Sequence, residues 1–284
     1  MKILKTYRLE IIMLLPLVLY IIGFTFLPVM NTIFMSFQNP HTGAFPTFAN
    51  YQYIFGRRDF NDAFWNTMII TGIGLTLEMT IGLVIALMLT KNFKGRGVFR
   101  SFLLIPMGVP TLVSAVTMTY IFNIHGYLNE LLYRLHLIKI PVDWAGGGLK
   151  TLLMIVFADM WKVTPMVVLL LLAGLESIPG EVYEAASIDG ASTWQTFRHV
   201  TLPLLKPSIT MTLILRAIDA FRIFELPMVL AGKNTPVLST YAYMEYNAYN
   251  NPYTSAAGST ILLVMILIFI FGYLFVSERN KEVI

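Results

Sequence analysis

The sequence contains no cysteine. That excludes a disulfide scaffold, a thiolate metal site and a cysteine nucleophile. Charge is scarce as well. Only 13% of the 284 residues are Asp, Glu, Lys or Arg, while 56% are hydrophobic; a soluble domain carries about 25% charged residues. Too few polar side chains remain to wet the surface of a globule this size, so a soluble enzyme, a disordered regulator and a fibrous protein are excluded. Catalytic signatures are missing too: there is no G-x-x-x-x-G-K-[ST], H-E-x-x-H or G-x-S-x-G. The histidines His41, His125, His136 and His199 fall in different loops, with no metal-ligand spacing among them. The run 145-AGGG-148 lacks the preceding strand and following Lys-Ser/Thr of a phosphate loop. Such a chain moves or docks something, and its driving force comes from another subunit or from an ion gradient.

What the sequence has in abundance is long apolar runs. A membrane-crossing helix needs about 20 consecutive mostly apolar residues, because backbone N–H and C=O groups find no partners in hydrocarbon outside the segment. Six stretches meet that need, at roughly 11–36, 63–90, 100–123, 150–173, 208–231 and 253–276. Pro16, Pro28, Pro106, Pro110, Pro165 and Pro227 lie inside them, where membrane helices tolerate proline and kink. The first run follows Lys2, Lys5 and Arg8 but is too long for a signal h-region of 7–15 residues, so it is expected to be a retained first helix. The fold class expected is an all-α membrane protein with six transmembrane helices.

The placement of Lys and Arg orients these spans. With the N-terminus inside, the inner segments hold Lys2, Lys5, Arg8, Lys91, Lys94, Arg96, Arg100, Arg198, Lys206, Arg279 and Lys281. The outer segments hold Arg57, Arg58, Arg134, Lys139, Lys150 and Lys233. The bias predicts both termini in the cytoplasm. The loop 91-KNFKGRGVFR-100 is a topology and lipid-headgroup signal, and no nucleic-acid partner is expected. The outer pieces, about 37–62, 124–149 and 232–252, are too short for enzyme domains. Within the second, Leu128, Leu131, Leu132 and Leu135 recur at i, i+3, i+4, i+7, which predicts an amphipathic helix lying on the membrane or on the helix ends.

The long inner loop, 176-ESIPGEVYEAASIDGASTWQTFRHVTLPLLKPSI-209, carries the most information. Pro179 and the early acids Glu181 and Glu184 predict a short helix that ends at Gly190. Ser192 and Gln195 fit a capping box opening a second short helix. Trp194, Phe197 and Val200 follow at i, i+3, i+6, and Pro203 closes it. Exposed aromatics flanked by charge suit a docking knob for a partner; folding back onto the membrane surface is the alternative.

The run 184-EAASIDGASTWQTFRHVTLPLLKP-207 resembles the EAA loop of membrane subunits of binding-protein-dependent ABC importers. Glu184, Ala185, Ala186, Gly190, Leu202 and Pro203 fall in register, with Val200 in place of an isoleucine. Asp189, Ala191, Trp194, Gln195 and Phe197 resemble the carbohydrate-uptake branch. The similarity extends to 161-WKVTPMVVLLLLAGLESIP-179, to 221-FRIFELPMVLAG-232 and to the six-span layout. It implies the type I ABC importer permease fold, a single permease domain over 1–284, and a cytoplasmic coupling loop at 176–207. The implied place is the cytoplasmic membrane of a bacterium or archaeon. In that family the loop inserts into a cleft on an ATPase, which makes Glu184, Ala185, Ala186, Asp189, Gly190, Trp194 and Phe197 the ATPase-coupling residues. The implied partners are a second homologous permease subunit, a dimer of ATP-binding subunits, an extracytoplasmic solute-binding protein docking on loops such as 37–62 and 232–252, a sugar substrate and membrane lipid. The chain resembles the first of two non-identical permeases, as in maltose, lactose or glycerol-phosphate uptake, without the large extra outer domain of the maltose type. No cofactor is expected in this chain, ATP-Mg being held by partner subunits.

Charged groups inside spans are costly and face a water-filled route or one another. Glu78 stands alone in the second span, Asp159 and Lys162 bracket Trp161 in the fourth, and Arg216, Asp219 and Arg222 recur at i, i+3, i+6 in the fifth. One reading is an ion-pair network, Asp219 with either arginine and Asp159 with Lys162. The other is a sugar-binding cavity in which Trp161 stacks on the ring while Lys162, Asp219 and Arg222 bind hydroxyls. In maltose-type relatives the corresponding segments line the sugar site. Lys162 and Arg222 are more strongly charged than a neutral sugar requires, which leaves acidic sugars and other solutes such as glycerol phosphate open. An ion-coupled secondary transporter is the rival function, but no half-to-half repeat supports it. A structural scaffold gives no reason for the EAA loop.

Overall fold

The structure, a computed structural model, describes residues 8–279. Lys2, Lys5 and Lys281, which entered the charge bias, lie outside the described residues. Among the described residues every regular element is helical. Helix α1 (Arg8–Ile21) runs through a π-turn at Ile22–Phe26 into α2 (Leu27–Ser36). The widening has a local cause: Pro28 has no N–H to donate, and its ring pushes away the carbonyl four residues back. After α3 (Ala49–Phe55) comes α4 (Arg58–Thr90), whose 33 residues span about 50 Å at 1.5 Å per residue, more than a bilayer needs.

The stretch 100–123, read from sequence as one span, forms two helices, α5 (Arg96–Gly108) and α6 (Thr111–Phe122). The chain turns by 96° between Arg96–Gly108 and the segment Thr111–Arg134. Val109, forced extended by the following Pro110 (φ −81°, ψ 130°), ends α5. Next come α7 (Tyr127–Arg134) and α8 (Leu149–Glu176), then the short α9 (Gly180–Ile188). The four-residue α10 (Thr193–Thr196) leads through a second π-turn, Phe197–Thr201, into α11 (Leu202–Phe221). The stretch 208–231 is likewise broken: α11 stops at Phe221, and a separate turn of helix, α12 (Glu225–Leu230), follows Arg222–Phe224. Helices α13 (Leu238–Asn247) and α14 (Pro252–Arg279) complete the order. Among the described residues, four helical segments are long and apolar enough to cross a bilayer, Ile12–Ser36, Arg58–Thr90, Leu149–Glu176 and Pro252–Ser277, and a fifth if the bent pair counts as one.

Helices α4 and α8 form the central pair, with α11 against both and α5 against α8. Small residues let these backbones approach, as they must where lipid supplies no hydrophobic drive. A methyl group at Gly82 of α4 would lie 2.6 Å from Val167 Cγ1 of α8. Two apolar clusters result. One holds Ile70, Met118, Ile155 and Leu226; the other holds Ala86, Leu89, Val167, Leu171 and Leu205. Many remaining apolar side chains are exposed, including nearly all of α1, as a lipid- or subunit-facing surface requires.

The end of the bundle that carries α7 and α13 is tied by polar contacts. Asn129 of the amphipathic α7 is buried, its Nδ2 donating to the Ile124 and Val142 carbonyls and its Oδ1 accepting from Val142 N and Trp144 Nε1. Arg57, just before α4, pairs with Asp59 and places Nη1 3.1 Å from Glu245 Oε1 of α13. Glu245 is 1% exposed, and that oxygen has no hydrogen-bond geometry to any partner. Burial raises the Glu245 pKa, with Arg57 opposing the shift. The folded protein therefore binds this proton more tightly than the unfolded chain. The Glu245 carboxylate weakens the fold as pH rises from the unfolded carboxylate range through its raised folded value. Arg57→Ala is expected to destabilise this end of the bundle by about 3 kcal/mol, because it leaves a buried carboxylate uncompensated, whereas Glu245→Gln is close to neutral and flattens the pH dependence. Thermal unfolding of both variants across pH 4–8 checks the asymmetry.

Candidate functional site

The charged residues of the spans converge between the two apolar clusters. Arg216 of α11 is 3% exposed and Glu78 of α4 is 0% exposed. Arg216 Nε donates to Glu78 Oε2 at 2.9 Å, and its Nη2 to Glu78 Oε1 at 3.3 Å and Asp159 Oδ2 at 3.1 Å. One guanidinium thus satisfies carboxylates from two other helices, as its fork of five donors permits. Glu78 is not isolated, as sequence spacing implied, and Asp159 pairs with Arg216 rather than Lys162. Lys162 instead donates from Nζ to the Val109 carbonyl at the α5–α6 break. A lysine here suits the last, unpaired carbonyls of α5, which carry the negative end of its dipole.

Beside this network lies a cavity of about 490 Å³ lined by Thr111, Asp159, Lys162, Arg216, Asp219, Arg222 and Glu225, with the apolar Val163, Ile223, Phe224 and Leu226. Its volume lies in the range of small-molecule sites. Asp219 Oδ1 accepts from Arg222 Nη2 at 2.9 Å, and both residues are exposed to the cavity mouth. Of the four pathway candidates, Lys162, Asp219 and Arg222 line the cavity. Trp161 does not: it packs on the apolar cluster around Ile155, because one residue along a helix turns about 100°. Sequence reasoning missed Thr111 and Glu225. Glu225 left a faint signal, three residues beyond Arg222; Thr111 left none.

The loop 176–207 is built by local hydrogen bonds. Ala191 N donates to Ala186 O and Gly190 N to Ser187 O at 3.0 and 3.1 Å, which is a Schellman motif closing α9. It requires a left-handed residue, and Gly190 supplies it at φ +74°. The capping box is formed: Ser192 Oγ accepts from Gln195 N, and Gln195 Oε1 accepts from Ser192 N at 2.8 Å. Glu184, Ala185, Asp189 and Gly190 are exposed, while Ala186 is buried. Ile188 and Trp194 are 86% and 66% exposed, large apolar surfaces with nothing over them. Trp194 and the half-buried Phe197 have ring centroids 5.6 Å apart. They also border a cavity of about 1190 Å³ beside the C-terminal half of α4, shared with Leu83, Leu87, Lys91 and Tyr183. Arg96 of the basic loop meets Glu176 at the end of α8 at 2.8 Å.

A helical membrane protein with a charged cavity within its spans and an exposed, rigidly capped helix pair on a loop is a transport subunit. The chain belongs to the family described as the binding-protein-dependent transport system inner membrane component, whose model matches residues 78–281, and it has the type I ABC importer permease fold. It is 39% identical to the trehalose/maltose transport system permease protein MalF of Thermococcus litoralis, over 97% of this chain and 95% of that protein. It is 34% identical to the trehalose transport system permease protein SugA of Mycobacterium tuberculosis, over 94% and 89% respectively. Its fold matches a chain of a bacterial ABC transporter involved in the import of the acidic polysaccharide alginate, with a TM-score of 0.86 at 23% identity over 98% of both chains.

Proposed function

We propose that this chain is one permease half of an ATP-driven carbohydrate importer in the cytoplasmic membrane, paired with a second permease and worked by two ATP-binding subunits that hold ATP-Mg. The observation that carries the reading is the exposed helix pair between Pro179 and Pro203, presented by a protein whose full-length relatives are named for trehalose and maltose transport. Glu184, Ala185, Asp189 and Trp194 form the face offered to the ATPase. Ala186 seats the helix on the bundle, Gly190 sets the angle of the hairpin, and Phe197 joins it to α11. Since α11 starts directly from this knob and ends at the cavity, displacement of the knob moves Arg216 and Asp219 along the same rod.

The charge bias supports an inner location for the knob and for both termini, with α11–α12 as the fifth crossing of six. The outer loops 37–62 and 232–252 then face a solute-binding protein. Lys162, Asp219 and Arg222 border the sugar path, and Trp161 buttresses its wall from behind. Uptake of a labelled disaccharide by cells carrying the complete transporter is expected to stop on ATP depletion and to survive collapse of ion gradients. The opposite pattern would establish the ion-coupled alternative.

A further inference from the structure

The larger cavity, about 1190 Å³ beside the C-terminal half of α4, has no part in the proposed sugar path. Leu83, Val84 and Leu87 of α4, Leu171 and Leu175 of α8 and Ile209 of α11 make most of its wall apolar. Thr80, toward its far end, has its hydroxyl turned back to the Thr76 carbonyl. The character changes where α4 stops: Thr90 and Lys91 line the cavity there together with Tyr183, Ser187, Thr193 and Trp194 of the hairpin. From Met79 to Lys91 the helix rises about 18 Å at 1.5 Å per residue, slightly more than half of a ~30 Å hydrocarbon core. The trough is therefore about one leaflet deep. Lys91 is exposed and, like Lys94 and Arg100 of the following loop, forms no ion pair among the described residues. Among those residues no carboxylate lines the cavity.

An apolar trough that ends in an unopposed ammonium, hydroxyls and aromatic rings matches a molecule with one long apolar arm and one negative head. An apolar helix of a partner would cover the walls but bring nothing negative to Lys91. A water-soluble anion would meet Lys91 and leave the walls bare. We infer that the trough is a binding site for one anionic phospholipid, its acyl chain along Leu83, Leu87 and Leu171 and its phosphate at Lys91. Trp194 and Tyr183 flank the head, as amphipathic rings do at the membrane boundary. The lipid then stands as a wedge between α4 and the hairpin. An acyl chain that leaves the bilayer for this trough exchanges one apolar medium for another, so the charge on Lys91 carries the preference for an anionic head. That the leaflet is the cytoplasmic one rests on the orientation proposed above; the site itself does not.

The test uses the complete transporter in nanodiscs of phosphatidylcholine. Trace phosphatidylglycerol or phosphatidylcholine, each with a diazirine on one acyl chain, is added, and the crosslinks formed on illumination are mapped by peptide mass spectrometry. Label is expected to concentrate on 79–91 and on the hairpin, with phosphatidylglycerol favoured about fivefold, one lysine at an anionic headgroup being worth about 1 kcal/mol. Raising the salt should narrow that preference, because exposed charges are screened. Lys91→Gln is expected to bring the two lipids to near parity, and its retained labelling by phosphatidylcholine shows that the variant is folded. Lys139→Gln, which removes an exposed lysine that does not line the cavity, should leave the preference unchanged. Parity of the two lipids in the unaltered complex, or a preference indifferent to Lys91→Gln, would overturn the site. So would competition by millimolar glycerol phosphate, which would mark a soluble anion, or a crosslink from Leu87→Cys to the second permease, which would mark a protein occupant. These readouts do not depend on whether the hairpin drives transport, so their failure leaves the coupling role standing.

Discussion

Arg216→Ala is expected to abolish stable accumulation of the protein in the membrane. Removing one partner of a buried ion pair costs about 3–5 kcal/mol, because the other charge is left uncompensated; here two carboxylates, Glu78 and Asp159, lose their guanidinium at once. That is a large share of the ~5–15 kcal/mol by which proteins of this kind are stable. The penalty belongs to the orphaned charges and not to the loss of Arg216 as such. The triple variant Glu78→Gln, Asp159→Asn, Arg216→Met is therefore expected to recover most of the lost stability. Thermal unfolding in detergent, followed by monodispersity, compares the two. Equal stability of Arg216→Ala and the unaltered chain would mean that the three charges do not meet inside the bundle.

The second large effect falls on the loop that carries Gly190. Gly190→Pro is expected to abolish transport while the chain still inserts. Proline fixes φ near −65° and has no N–H, whereas Gly190 sits at φ +74° and donates to the Ser187 carbonyl. No atom lies within 4 Å of where a Cβ would stand at Gly190, so the effect comes from the backbone and not from a clash. Gly190→Ala should therefore impair the hairpin by only about 1–2 kcal/mol, and Gly190→Asn, tolerant of this conformation, by less. The graded series Asn, Ala, Pro, read as transport per molecule of ATP hydrolysed, distinguishes a hairpin angle from mere bulk. Full transport in Gly190→Pro would contradict the coupling role.

What could be read from the sequence was what is encoded locally. The helix ending at Gly190 and the Ser192–Gln195 box depend on hydrogen bonds between residues three to five apart, so spacing alone reveals them. The apolar runs likewise announce membrane helices. Long-range choices were not legible. Glu78 and Arg216 are 138 positions apart, and Lys162 reaches a carbonyl 53 positions away. Spacing suggested Asp159 with Lys162 because they share a helix, yet the bend at Val109–Pro110 offers Lys162 an unpaired carbonyl and frees Asp159 for Arg216. The break after Phe221 also escaped notice, since Arg222–Phe224 carries no proline or glycine to mark it. Trp161 and Lys162 are neighbours in sequence, but helix geometry sends one to the apolar cluster and the other to the cavity.

The absence of native cysteine permits a direct test of the docking role. Ile188→Cys places a single thiol at a side chain that is 86% exposed on the hairpin. In the assembled transporter this thiol is expected to resist an impermeant maleimide in intact cells, to react in inside-out vesicles, and to crosslink to the ATP-binding subunit when a short bifunctional reagent is added. Labelling from outside intact cells, or crosslinks to the solute-binding protein instead, would place the hairpin on the wrong side of the membrane for coupling.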